Sequence, residues 1–199
     1  MQQAFIKKRL PLWGLKSMGD GAPRHTLRLR EVELCDASSL AAISIEVWIG
    51  TYIKQGVSGF FAEYALETFT TQNLQDVIRD PKTHIIVSQN NEGIDGFIQM
   101  KHPSKGPIDA CSDCEIATFY VQPRHHGKGI GQALLKVGCD YANSLGVSSL
   151  WLTTNAQNTP AIGFYQRQGF DIIGTTDFRI QDQAYENKVL SLSLIHGQT

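Results

Sequence analysis

Six consecutive residues past the middle of the chain, His126-Gly127-Lys128-Gly129-Ile130-Gly131, have the composition of an anion site. Alternating glycines let the backbone come close to a ligand and expose successive N–H groups, and a helix starting behind them adds partial positive charge. A strand-like run precedes them. The apolar face of Ile130, Leu134, Val137, Tyr141 and Leu145 follows at helical spacing. A phosphate or pyrophosphate is the expected ligand. A P-loop is excluded, because Gln122 stands where its first glycine belongs and Lys128 is followed by Gly129 instead of Ser or Thr. A dinucleotide fingerprint is excluded because Gln132 occupies the place of its third glycine. A glycine-rich turn without a ligand is the bland alternative.

Other residues with chemical potential lie around this turn. Glu115 opens the strand leading into it, and a period of two puts Glu115, Ala117, Phe119 and Val121 on one face. A carboxylate at the start of an otherwise apolar strand is uncommon, though a solvent-facing strand end has the same appearance. Cys111-x-x-Cys114 with His102 nearby is a single pair and too little for a zinc site, so no metal is expected. His125 and His126 are more simply loop residues than ligands.

These residues need a scaffold. Thr26 to Glu31 alternates as a strand, and Asp36 is placed to cap a helix carrying Leu40, Ile43, Val47, Trp48 and Tyr52. Phe60 to Phe69 and Leu74 to Ile78 give two further helices, which Asp80-Pro81 ends. Strands at 84–87 and 94–100 flank the hairpin signal Asn90-Asn91-Glu92-Gly93. Glu115 to Gln122, Ser149 to Thr154, Phe170 to Ile173 and Tyr185 to Leu194 complete the strands, and Thr159-Pro160 opens a last helix that Gly169 closes. The order β-α-α-α-β-β-β-α-β-α-β-β predicts one α/β domain, a mixed sheet with helices on both faces.

The chain has 199 residues with a formal net charge of -1, 42% hydrophobic and 19% charged residues. At about 150 residues per domain this allows one domain, here 26–199, preceded by an arm over 1–25. Near-zero charge argues against nucleic acid as a partner, and no apolar run approaches the ~18 residues of a membrane span. Four cysteines fit a reducing, cytoplasmic compartment better than a disulfide scaffold.

Val121-x-Pro123-x-x-x-Gly127-Lys128-Gly129-Ile130-Gly131-x-Ala133-Leu134-Leu135 resembles the acetyl-CoA motif of the Gcn5-related N-acetyltransferases, with His126 where the family usually has Gln or Arg. Asn158-x-x-Ala161-Ile162-x-Phe164-Tyr165-x-x-x-Gly169-Phe170 resembles that family's second segment. The resemblance implies a single-domain, mostly antiparallel sheet of six to seven strands and acetyl-CoA as co-substrate. It implies backbone contacts to the coenzyme from Phe119, Tyr120 and Val121 and from the loop His126 to Gln132. Asn158 and Ala161 would approach it from the next helix, and Arg124 and Lys128 would attract its phosphates.

By the same resemblance Tyr165 is the acid that protonates the departing thiolate and Glu115 the base that takes the amine's proton. The acceptor side would draw on Trp48 and Tyr52, with Phe60, Phe61 and Tyr64 available and with Glu46, Glu63 and Asp182 as cation-attracting candidates. Trp48-x-x-Thr51-Tyr52, Glu115-Ile116 and Gly174…Phe178…Asp182 are similar to bacterial polyamine acetyltransferases, which makes a polyamine the leading acceptor among small amines. A non-catalytic acyl-CoA sensor of the same fold, or an enzyme acting on protein N-termini or lysines, is the rival reading. A homodimer would form along the sheet edges of the last strands.

Overall fold

The run Ile85-Ile86-Val87 sends its side chains alternately to two separate cores, and the whole molecule is layered accordingly. The computed structural model describes residues 27–53 and 55–194, so the arm expected over 1–25 lies outside them. The strands are β1 (Arg28–Glu31), β2 (Thr83–Gln89), β3 (Ile94–Lys101), β4 (Glu115–Val121), β5 (Ser149–Asn155), β6 (Asp171–Ile180) and β7 (Gln183–Ser193). The helices are α1 (Ala37–Tyr52), α2 (Gly59–Thr68), α3 (Thr71–Arg79), α4 (Ile130–Ser144) and α5 (Thr159–Arg167). Their order is the one read from the sequence.

All seven strands form one sheet in the order β1-β2-β3-β4-β5-β7-β6, and only β4 and β5 run parallel. On one face Ile85, Val87 and Phe97 meet Leu40, Ile43 and Leu74 of α1 and α3. On the other, Ile86, Ile98, Met100 and Ile116 meet α4 and α5 through Ile130, Leu134, Leu135 and Tyr165. Burying a side chain such as Leu134, which is fully enclosed, contributes about 2 kcal/mol. A third cluster joins the end of α1 to α2 and the β6–β7 hairpin through Trp48, Ala65 and Ile180. With its preceding turn, α1 (34–52) is long and apolar enough by composition to cross a membrane. Its residues Leu40, Ile43 and Trp48 are instead buried within the protein.

Local chemistry explains the element ends. Asn90 Oδ1 accepts from the N–H groups of Glu92 and Gly93, closing the β2–β3 hairpin. Gly146, with φ +74, follows α4 as its left-handed stop. Asp36 departs from expectation: it precedes α1, but its side chain does not cap that helix. It accepts from the Glu33 N–H at 2.7 Å and from both terminal nitrogens of Arg30 at 2.7 and 2.9 Å. The Arg30 hydrogen bonds outweigh burial, and together with the Glu33 N–H they hold the Asp36 carboxyl below its ordinary range.

A depressed carboxyl stabilises the fold above its unfolded value, about 3.9, and that share is lost as pH falls toward the lower folded value. Unfolding free energies measured by denaturant from pH 6 to 2.5 should therefore fall less steeply for Asp36→Asn. The variant itself should be weaker by about 1 kcal/mol at pH 7. Parallel acid limbs for the two proteins would remove the pair from this role.

Candidate active site

Strands β4 and β5 meet at one point. Glu115 and Trp151 are their single residue pair, and the Trp151 N–H donates to Cys114 O at 3.0 Å. Beyond it β4 stays with β3 as far as Val121 and β5 stays with β7 as far as Asn155, so the two strands part. Thr153, midway along β5 at the centre of the sheet, is consequently exposed. The Gln122 N–H donates to Asp95 O on the β3 side, and alternation turns the N–H groups of Phe119 and Val121 into the opening. A gap lined by outward backbone donors suits an extended, amide-bearing ligand.

The glycine turn stands at the mouth of this gap. Gly127 and Gly129 hold φ of +76 and +82, and no atom lies within 4 Å of where a Cβ would sit, so conformation and not crowding requires glycine there. Gly129 is the N-cap of α4 and offers no capping side chain, which leaves first-turn N–H groups facing outward. The Ile130 side chain is buried in the core, so this residue offers a ligand only its backbone. Gln132 is exposed on the first turn.

The His126 ring places Nε2 2.9 Å from Val121 O, at the end of β4. Lys128 Nζ lies 3.1 Å from His125 Nδ1. Arg124, expected near phosphates, is drawn instead to Glu46 of α1 at 3.1 Å. Glu46 also accepts from Gln122 Nε2 at 2.7 Å, so it is not a free cation-attracting group. Glu63 and Asp182 are exposed, on α2 and in the β6–β7 turn.

Tyr165 lies in the core of the α5 side, its ring 6.0 Å from Phe119 and 5.5 Å from Phe164. Burial pushes its phenol pKa well above the ordinary value. Tyr120 points to the other face, edge-on to Phe97, and is also raised by burial; it is close enough to feel Tyr52, Tyr64 and Tyr165. Asn158 caps α5, its Oδ1 3.4 Å from the Ala161 N–H, which leaves its amide nitrogen for other use.

Glu115 departs from expectation. The register of β4 on β3 slips between Gln99 and Met100, leaving Ala117 without a partner. Ile116, Phe119 and Val121 therefore share one core, and Glu115 is not on their face. Its carboxylate accepts from the Ser104 hydroxyl at 2.6 Å, at the closed end of the gap.

The two expected acceptor residues also separate. Trp48 is 4% exposed beneath Tyr52, with which it stacks at 4.8 Å. Tyr52 itself lines a cavity of about 450 Å³ with Asn155, Tyr185 and Glu186. Sequence reading missed Asn155 and Asn187. The available signal was Asn187 two residues after Tyr185 in a strand, on the same face and in a residue type that strands disfavour.

Residues 52–170 match the model of the acetyltransferase (GNAT) family, and the chain belongs to it. Streptothricin acetyltransferase of Streptomyces lavendulae is 31% identical over 109 residues, 55% of this chain and about half (54%) of that protein's length. An uncharacterized N-acetyltransferase of Mycobacterium bovis is 24% identical over 147 residues, 74% of this chain and 90% of the relative. Among solved structures, PaiA N-acetyltransferase from Thermoplasma acidophilum in complex with coenzyme A superposes with a TM-score of 0.66. It is 18% identical and covers 84% of this chain and 99% of its own, so it speaks for the fold.

Gly129→Ala should cost about 1 kcal/mol of stability, since a left-handed backbone is unfavourable for alanine. Calorimetric titration should also show weakened coenzyme A binding as the loop shifts. Unaltered affinity would mean that the Gly129 conformation plays no part in holding the ligand.

Proposed function

We propose that the protein is an acetyl-CoA-dependent N-acetyltransferase that acts on a primary amine of a small molecule by direct attack in a ternary complex. The observation that carries this is the parting of β4 and β5 beside a glycine turn that opens a helix. The turn suits phosphates through the N–H groups of Gly127 to Gly131, and Lys128 adds charge. The backbone of Phe119, Tyr120 and Val121 would hold the pantetheine arm, with a Phe119 or Val121 N–H also reaching the acyl oxygen. Asn158 and Ala161 flank it from α5. When bound, acetyl-CoA supplies an electrophilic thioester carbonyl and a thiolate leaving group.

Tyr165 acts as the acid. A phenol is protonated at neutral pH, and its one mobile proton is what a departing thiolate needs. Phe119 and Phe164 pack beside it. Glu115 stands at the closed end of the gap, so its part in removing the amine's proton runs through water.

The acceptor we infer is a polyamine. The support is the likeness of the Trp48 to Tyr52 and Phe178 segments to polyamine acetyltransferases, together with a cavity that carries Tyr52, Tyr185 and, as the one acid among the described residues lining it, Glu186. Streptothricin is the second reading, favoured by the 31% identity to its acetyltransferase. A cytoplasmic site is supported by the four free thiols. The exposed edge of β6, with Ile172 outward, is where a homodimer would form.

Free thiol measured against a panel of polyamines, streptothricin, amino acids and peptides tests the reading. Turnover with a polyamine is expected; coenzyme binding without thiol release from any amine would make the protein a sensor. Tyr165→Phe should lower kcat about 100-fold with coenzyme affinity retained. Wild-type turnover in that variant would take the acid role from Tyr165. Glu115→Gln should depress the rate most near neutral pH, where the amine is largely protonated. Identical pH profiles would leave attack to the free amine alone.

A further inference from the structure

One position on β5 joins an uncovered side chain to backbone groups that face the seam. Leu150 and Leu152 lie in the core under α4 and α5, so alternation turns Trp151, Thr153 and Asn155 to the α1 side of the sheet. Trp151 is 3% exposed, and the loop after β3 lies over it: a Cβ placed on Gly106 would sit 3.4 Å from its ring. Asn155 lines the cavity beside Tyr52. Thr153 stands between them and is the one exposed residue among the seven of β5. Its neighbour across the ladder, Val189, is fully buried. The Thr153 hydroxyl is therefore a polar group on open floor, between a covered indole and the Tyr52 cavity.

The backbone at the same residue points into the seam. The Trp151 N–H donates to Cys114 O, so the N–H and C=O of Thr153 and Asn155 also turn toward β4. By then β4 has parted from β5. Asn155 O is taken by the Asn158 N–H at 2.9 Å, where the chain turns into α5. Thr153 thus offers two acceptors, its hydroxyl and its carbonyl, across the seam from the outward N–H groups of Phe119 and Val121. A primary amine attacking a thioester must aim its lone pair at the acyl carbon and turn its N–H bonds elsewhere. Those bonds need acceptors once water has left.

We propose that Thr153 is an acceptor-binding residue: its hydroxyl and carbonyl receive the N–H bonds of an aliphatic primary amine and so aim the lone pair at the acyl carbon held along β4. Thr153 holds the nitrogen while the N–C bond forms and the C–S bond breaks. Tyr165 gives the sulfur its proton, and water beside Glu115 takes the proton that nitrogen loses. This rests on the acetyltransferase reading for its place in a reaction, whereas amine binding is measured without it.

The test is thiol release from acetyl-CoA against spermidine concentration, beside calorimetric titration of spermidine into the coenzyme A complex. Thr153→Val keeps the β-branched shape that suits a strand and takes away the hydroxyl. It should lower kcat/KM for spermidine about fivefold to tenfold, the size of one hydrogen bond, and weaken spermidine binding several-fold. The KM for acetyl-CoA and the Tm should keep their wild-type values. Thr153→Ser returns the hydroxyl and should recover most of the loss. If valine lowers the Tm, Thr153→Ala takes its place in the comparison.

Where spermidine is turned over, wild-type kcat/KM in Thr153→Val overturns the proposal and leaves the acetyltransferase reading standing. A serine variant no better than valine, or a matching loss of acetyl-CoA affinity, overturns it as well. Spermidine binding that valine weakens, with no thiol release, would defeat the acetyltransfer reading and keep Thr153 as an amine site. Neither binding nor release with spermidine would overturn the proposal outright.

Discussion

Everything at the candidate site follows from one lost pairing. A parallel sheet would normally continue its hydrogen bonds from Glu115 and Trp151 to the strand ends, yet β4 and β5 separate after one pair. Each is held elsewhere: β4 by β3 at every residue but Ala117, β5 by seven paired residues of β7. The backbone groups between them are left to be satisfied by something outside the sheet. Stability is thus concentrated in the two half-sheets, and the seam between them is reserved for a ligand.

The elements around the seam are arranged in relation to it. On the α4–α5 side Ile130, Leu134 and Tyr165 make the packed wall, and the glycine turn marks its rim. On the α1–α2 side the aromatic cluster of Trp48, Tyr64 and Phe178 builds the other wall. The clasp of Glu46 by Gln122 and Arg124 ties α1 to the turn directly after β4.

Local signals in the sequence were enough for much of this. The alternation of Ile85, Ile86 and Val87, the Asn90 to Gly93 hairpin and the Gly127 to Gly131 turn are each written in consecutive residues, so their elements fall where the sequence places them. What could not be read depended on register and on partners distant in the chain. The slip between Gln99 and Met100 removes Glu115 from the face of Phe119 and Val121, and no pattern within β4 announces it. Arg124 looked like a phosphate ligand until folding brought Glu46, far back in the chain, within 3.1 Å. Asn155 and Asn187 are 32 residues apart in number and become a pair only through the β5–β7 ladder.

The contact between His126 and Val121 closes one end of the seam. An open seam inside a sheet is as inviting to a stray strand as an outer edge, and such edges promote association between chains. Here the last carbonyl of β4 is already covered by an imidazole. The seam runs for only a few residues before the glycine turn bends the chain away. Its brevity and its covered end leave another chain's strand few backbone groups to pair with there.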